Sequence, residues 1–233
     1  MIAARTPATW AVSIHTGEAA DLHARSVEPV ESGSVGRSLR FWRPDRAALV
    51  LGSAQPDSVV APESPVPVVR RRTGGGAVYL APGQQVWADI AIPAGDAHWD
   101  DDVGRAFWWV GEAWAAALTN LGVPAASVEI HRGRPETNEW SSLVCFAALG
   151  SGEVSIGGRK VVGMSQRRTR NGALFQCAAL LAWDPRPMLG SLALSPQQRV
   201  DAEPALRERA GAIRTAPARL EAAFAGALLA AGR

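Results

Sequence analysis

Two short segments of the 233-residue chain carry residue types suited to gripping an anionic group. The first reads Arg70-Arg71-Arg72-Thr73-Gly74-Gly75-Gly76-Ala77-Val78-Tyr79. Glycine has no Cβ, so consecutive glycines let backbone N–H groups turn toward a ligand. Such a loop makes an anion-binding concavity, and adjacent guanidinium groups add charge-assisted hydrogen bonds. Strand alternation puts Arg70 and Arg72 on one side and Arg71 on the other. Arg72, nearest the glycines, is then the expected ligand contact. The second segment reads Gly157-Gly158-Arg159-Lys160-Val161-Val162-Gly163-Met164-Ser165-Gln166-Arg167-Arg168. Lys160 follows a Gly-Gly turn and precedes two valines, and an ammonium partly buried there needs a partner. Gly163 would let a ligand chain pass close to its strand. Ser165 and Gln166 could hydrogen-bond a ligand head or the neighbouring strand.

Cys145, in Leu143-Val144-Cys145-Phe146-Ala147, lies one hairpin upstream of Lys160. A thiolate attacks thioesters well when a nearby cation favours it, and Lys160 could supply that cation. Flanked by Val144 and Phe146, the same cysteine also reads as an inert core residue. Cys177, beside Gln176 and Ala178-Ala179, reads as core.

These residues need a scaffold that holds them in register. Trp10 to His15 reads as a strand and Gly17 to Ala24 as a short helix. Leu39 to Trp42, Ala47 to Leu51, Val66 to Arg70, Ala77 to Leu80 and Val86 to Ile92 read as strands, with a proline-punctuated loop from Ala61 to Pro67. Asp100-Asp101-Asp102 opens a helix over Val103 to Leu121. That helix has Phe107, Val110, Trp114, Leu118 and Leu121 on one stripe, and Gly122 stops it. The Trp108-Trp109-Trp114 cluster reads as core packing. Ser127 to Ile130, Leu143 to Ala147, Glu153 to Ile156, Lys160 to Ser165 and Ala173 to Trp183 follow as short β-type runs. Gly157-Gly158 and Asn171-Gly172 are hairpin dipeptides between them. From Pro196 the chain is helical, with Leu220, Phe224 and Leu228 spaced by four. The pattern predicts an α+β fold, a mostly antiparallel β-sheet with packed helices.

Bulk properties narrow the class. A hydrophobic content of 47% and a formal charge of +2 suit a globular chain with an ordinary core. The arginine runs lack an accompanying spread of basic residues, which argues against nucleic acid. There is no run of about 18 apolar residues for a membrane span. Met1 to Pro7 lacks the apolar stretch of a signal peptide. Two cysteines make no disulfide framework, so a cytoplasmic location is expected. No metal cluster is suggested.

Taken together, Arg71 to Tyr79 and Gly158 to Arg168 resemble the lipoate–protein ligase and octanoyltransferase superfamily, which shares its catalytic domain with biotin protein ligases. Gly52-Ser53-Ala54-Gln55-Pro56 is similar to the Gly-x-x-Gln turn that precedes the family's glycine loop. The resemblance runs from about Ser38 to about Trp183. It implies a biotin/lipoate ligase-like catalytic domain over residues 1–195, with residues 196–233 a short helical tail packed on it. It implies attachment of an octanoyl or lipoyl group to a lysine of a lipoyl carrier domain. Lys160, and alternatively Cys145 with it, would be catalytic. Arg70, Arg72, Gly74, Gly75, Gly76, Ala77, Tyr79, Gly83, Gln84, Gly163, Ser165 and Gln166 would bind substrate, with the amides of Gly74 to Ala77 and Lys160 meeting the oxyanion. The transferase version takes acyl from an acyl carrier protein thioester. The ligase version uses ATP with Mg and an acyl-adenylate. The recipient would be a lipoyl domain or a glycine-cleavage H-type protein, and no permanently bound cofactor is implied.

The chain departs from the family pattern in two places. The family usually has His-Asp or His-Gly after Ala-Val-Tyr, where this chain has Leu80-Ala81. It usually has Leu-x-His-Gly after the lysine hairpin, where this chain reads Phe175-Gln176-Cys177-Ala178. A non-catalytic acyl-binding relative therefore stays open beside the two enzymatic versions. Biotin ligation fits less, because Arg72-Thr73-Gly74-Gly75-Gly76 does not spell that family's loop.

Overall fold

The computed structural model describes residues 9–33 and 35–231; Met1 to Pro7, read above for a leader, lie outside them. In chain order the elements are β1 (Ala11–Gly17), α1 (Ala19–Glu31), β2 (Ser38–Pro44), β3 (Ala48–Leu51), β4 (Val68–Arg70), β5 (Val78–Leu80), β6 (Gln85–Pro93), α2 (Trp108–Asn120), β7 (Val128–Ile130), β8 (Val154–Ile156), β9 (Arg159–Thr169), β10 (Gly172–Leu180), α3 (Arg186–Ser191), α4 (Pro196–Arg209) and α5 (Pro217–Ala230). A seven-stranded sheet runs β1-β2-β6-β10-β9-β8-β7, and a three-stranded sheet runs β4-β3-β5. Among the strands of the described residues only the β1/β2 and β3/β4 pairs are parallel, so the expected mostly antiparallel α+β architecture is what forms.

Alternation along the long strands sorts the large sheet into two faces. Phe41, Ala88, Ile90, Phe175, Cys177, Val162 and Met164 join the main core with α2 and α5. There Trp114 stacks on Phe224 with ring centroids 3.7 Å apart. Val110, Trp114, Leu118, Leu220, Phe224 and Leu228 lie in the interior, as their spacing predicts, while Phe107 and Leu121 at the ends of the stripe are only partly buried. Burial pushes the Cys177 thiol up, which keeps it an unreactive core thiol. On the opposite face Trp87 packs with Leu22 of α1 and with Val50 and Leu80 of the small sheet. The space between the two sheets on this side becomes the site.

Three local expectations change. The helix after Asp100-Asp101-Asp102 begins at Trp108, preceded by a 3-10 turn at Arg105–Phe107. Asp102 Oδ1 accepts from the Gly104 and Arg105 amides, so the acidic run caps that tight turn instead of the α-helix. Leu143 to Ala147 is not a strand. Val144 makes a single bridge to Ala77, and Cys145–Ala147 then curls into a 3-10 turn. The first helix runs well past Ala24 and carries Pro29 inside its last turn. Proline has no N–H for the carbonyl four residues back; that carbonyl, of Arg25, accepts from Arg40 Nη1 instead at 3.3 Å.

Candidate active site

Register fixes the floor of the site. Trp87, Ala178 and Gly163 sit opposite one another on β6, β10 and β9, and Asp89, Gln176 and Ser165 form the adjacent row. Val50, Val78 and Leu80 of the small sheet stand across from them, and His23 of α1 closes one end. The enclosed space is narrow, about 40 Å³, and Cys145 lies on its wall.

Cys145 reaches this wall because its backbone is pressed against the glycine loop. A Cβ built on Gly76 would come within 2.6–2.8 Å of Val144 and Cys145 main-chain atoms. Only glycine fits there. Ala77 N donates to Leu143 O (2.8 Å) and Cys145 N donates to Ala77 O (3.0 Å). Gln55, from the Gly-x-x-Gln turn, donates to both Ser142 O and Leu143 O at 3.1 Å. The cysteine segment is therefore tied to both preceding loops.

Lys160 approaches from the other side. It is 2% exposed, and its Nζ lies 2.5 Å from Glu153 Oε2, donates to Cys145 O (2.7 Å) and Ala148 O (2.9 Å), and sits 4.0 Å from Cys145 Sγ. Burial alone would pull its pKa down, but negative charge at Cys145 and at Glu153 outweighs this and holds it above the usual lysine value. Its backbone is fixed by the Gly-Gly turn, both glycines having positive φ, and by Gly211 N, which donates to Lys160 O at 3.0 Å. A Cβ on Gly163 would sit 3.4 Å from Cys145 Sγ and 3.3 Å from Lys160 Cε, so glycine keeps the approach to the sulfur open.

A buried polar chain runs beside the cavity. Arg71 Nη2 donates to Gly74 O (2.6 Å) and Gly76 O (2.9 Å), and its Nε to Thr73 Oγ1 (3.1 Å). Ser165 Oγ donates to Thr73 Oγ1, which donates to Gln176 Oε1. Gln176 Nε2 donates to Ser26 Oγ, which donates to Asp89, and Trp87 Nε1 also donates to Asp89. Burial pushes the Asp89 carboxyl up to about 6 against the effect of these hydrogen bonds. His23 packs against Trp87 with the rings tilted by 32° and centroids 4.1 Å apart. Burial, reinforced by the Arg71 charge, pulls its pKa down to about 3, so its ring is neutral.

The sequence-derived candidates divide. Cys145, Gly163 and Ser165 line the cavity, and Lys160 stands directly behind Cys145 and Gly163. Arg71 is the arginine on the cavity wall. Arg72 is exposed and borders an outer groove, while Arg70 donates to Gly52 O and pairs with Asp57. The alternation itself holds, since Arg70 and Arg72 are exposed and Arg71 between them is buried, but it is the Arg71 side that meets the cavity. The Gly74 and Gly75 backbone is exposed and Gly76 is buried beneath Cys145; among the described residues no group accepts from the Gly74, Gly75 or Gly76 amides. The Ala77 amide is already bonded to Leu143 O, which removes it from the oxyanion donors. Tyr79 and Gln84 line a separate small cavity with Trp183, and Gly83 makes the turn before β6. Gln166, one residue beyond Ser165, pairs with Phe175 on the opposite face, away from Cys145. Sequence reasoning missed His23, Thr73, Glu153 and Gln176. The Asn171-Gly172 hairpin held the signal for Gln176, since its register sets Gln176 opposite Ser165.

Comparison with known proteins gives the family and the fold. The family model of the lipoyl protein ligase A/B catalytic domain matches residues 17–221. The octanoyltransferase LipM of Exiguobacterium sp. is 26% identical over 191 residues, spanning 79% of this chain and 68% of that protein. The crystal structure of lipoate-protein ligase A bound with ATP superposes with a TM-score of 0.73 at 18% identity, over 97% of this chain and 85% of that one. The bipartite lipoate protein ligase of Thermoplasma acidophilum, described with its E2 lipoyl domain, gives a TM-score of 0.72 at 18% identity, over 96% and 84%. With the family model covering nearly all of its length, the chain belongs to the lipoyl protein ligase A/B catalytic domain family.

Proposed function

We propose that the protein is an acyltransferase of lipoyl metabolism that carries an octanoyl or lipoyl group on Cys145 and delivers it to a lysine of a lipoyl carrier domain. The observation that carries this reading is Cys145 on the wall of an apolar cavity, with the buried Lys160 ammonium 4.0 Å from its sulfur. Family membership and the octanoyltransferase relative support it.

In the first half-reaction the Cys145 thiolate attacks the carbonyl of an acyl-carrier thioester. The carbonyl electrons move onto oxygen, then return as the carrier thiolate leaves. In the second, the neutral ε-amine of the acceptor lysine attacks the Cys145 thioester. Collapse of that intermediate expels the Cys145 thiolate, and the amine nitrogen gives up a proton to form the amide. Lys160 stabilises the sulfur anion that begins and ends the cycle. The Gly74 and Gly75 amides, exposed and bonded to no acceptor among the described residues, would supply the backbone donors for the oxyanion once the loop closes on the acyl group. Seating a medium-chain acyl group requires Val50, Val78 and Leu80 to move away from the sheet. The acceptor is a lipoyl domain or an H-type protein of glycine cleavage, the donor an acyl carrier protein, and the free thiols suit the cytoplasm.

Incubation with octanoyl-carrier thioester should add one octanoyl mass to Cys145, and Cys145→Ser should take no adduct and transfer no acyl group. An unmodified cysteine together with full transfer by Cys145→Ser would remove the mechanism. Acyl-dependent exchange of pyrophosphate into ATP would replace it with ligation.

A further inference from the structure

His23 is more than nine-tenths buried, and neither ring nitrogen has a hydrogen-bond partner among the described residues. A neutral imidazole offers one N–H donor and one acceptor nitrogen. Burying both unmet is unfavourable, and such groups are rare unless something outside the protein meets them. The ring lies over Trp87 on β6, whereas Cys145 lies beside Gly163 on β9. β10 intervenes, with Ala178 in the same row. Two strand spacings, about 9–10 Å, therefore separate the two ends of the floor, which is the reach of a medium-chain acyl group. An acyl chain attached at Cys145 and lying along Gly163, Ala178 and Trp87 ends at His23. Beyond His23 the wall changes character: His23 and Arg71 also border an outer groove that carries Arg70, Arg72 and Arg167. The far end of the cavity is thus polar, while its middle is apolar.

We propose that His23 is a specificity-determining residue that hydrogen-bonds a heteroatom at the far end of the bound acyl chain. An octanoyl group still fits, but a chain that carries a sulfur or a hydroxyl there binds more tightly than one ending in a plain methyl. The inference rests on the acyl-cavity reading above. A methyl end would leave both ring nitrogens unpaired in the closed complex, and sites built around a polar partner reject analogues that lack it far more strongly than apolar pockets reject one methylene.

The test measures binding of free octanoic, 8-hydroxyoctanoic and lipoic acids to the full chain by calorimetry. Wild type, His23→Phe and His23→Asn are compared, with thermal melts to establish that each variant folds. The wild type should bind at least one of the two heteroatom-bearing acids about tenfold or more tighter than octanoic acid. Which of the two leads tells sulfur from hydroxyl. His23→Phe, which keeps the ring shape without its nitrogens, should bring the ratio to about one or invert it, and His23→Asn should keep part of it. Equal affinities in the wild type, or an unchanged ratio in His23→Phe, would overturn the role of His23 and leave the acyl cavity standing. Failure of all three acids to bind, with no octanoyl adduct on Cys145, would remove the acyl cavity itself.

Discussion

Glu153 and Lys160 form an ion pair 2.5 Å long in which both side chains are almost wholly buried, 5% and 2% exposed. The carboxylate also accepts from the Gly150 and Met164 amides at 2.6 and 2.8 Å. Its place is set by backbone, and it in turn sets the lysine. Removing one charge of such a pair leaves the other buried and uncompensated, at about 3–5 kcal/mol. Lys160→Met should therefore lose about that much stability in denaturant unfolding, along with acylation of Cys145. Lys160→Met combined with Glu153→Gln should regain part of the stability and none of the acylation. If the double variant acylates at the wild-type rate, the ammonium has no role beyond folding.

Gly163 gives a second, geometric prediction. A methyl added there meets Phe146 Cζ at 3.1 Å, Lys160 Cε at 3.3 Å and Cys145 Sγ at 3.4 Å. All three distances are tight; Phe146 Cζ and Cys145 Sγ end their side chains and can shift by a few tenths of an ångström, while Lys160 Cε is one bond from the anchored ammonium. Gly163→Ala should fold, at an overpacking cost of about 1–3 kcal/mol. Cys145 acylation should slow on the order of 10²-fold, because the sulfur is displaced and its approach narrowed. Stopped-time mass spectrometry of Cys145 measures this. A variant that melts normally and acylates at the wild-type rate would show that the acyl group comes from another direction.

The Arg71 fork makes a third. One guanidinium spans the Gly74 and Gly76 carbonyls and Thr73 Oγ1. A lysine ammonium has no planar fork to do so. Arg71→Lys keeps the charge and loses the clamp. It should cost roughly 1–3 kcal/mol for the carbonyls left unpaired and speed hydrogen exchange at the Ser53 and Ala77 amides, whose bonds to Thr73 O and Leu143 O hold the two ends of the loop, with acylation falling alongside. Unchanged exchange at those amides would mean the loop holds its shape without the arginine.

The sequence was most informative where turn chemistry dictates register. Gly157-Gly158 places Lys160 at the start of β9, and the hairpin after it aligns Ser165 with Gln176 and Gly163 with Ala178. Alternation does run through Arg70-Arg71-Arg72, with only Arg71 buried, but which side meets the site depends on how the small sheet packs on the large one, and strand periodicity says nothing of that. Cys145 was placed on a strand, since Val-Cys-Phe has the residue types of one. Its 3-10 turn arises from the close approach of Gly76, a long-range contact that local pattern does not encode. His23 was hidden for a related reason. With α1 expected to stop at Ala24, too little helix remained to assign a face, and Pro29 masks the real end. Yet this histidine of α1 lines the cavity.

That histidine and Asp89 predict an unusual acid limb in the stability profile. His23 falls from 6.5 to about 3 on folding, so the native state binds its proton less readily than the unfolded chain does. Its contribution is fully present above about 6.5 and is lost as pH falls toward 3, by about 1.4 kcal/mol per pH unit. Asp89 rises from 3.8 to about 6 on folding, which works the other way: the native state is favoured as pH falls from about 6 to 4. In the wild type the two slopes oppose each other over that window. In His23→Phe the Asp89 slope stands alone, so unfolding free energies from urea titrations should rise between pH 6 and 4 relative to wild type. In Asp89→Asn only the His23 slope remains, and stability should fall more steeply than wild type over the same interval. Parallel profiles for wild type and His23→Phe below pH 6 would show that the imidazole takes up its proton without leaving the folded state.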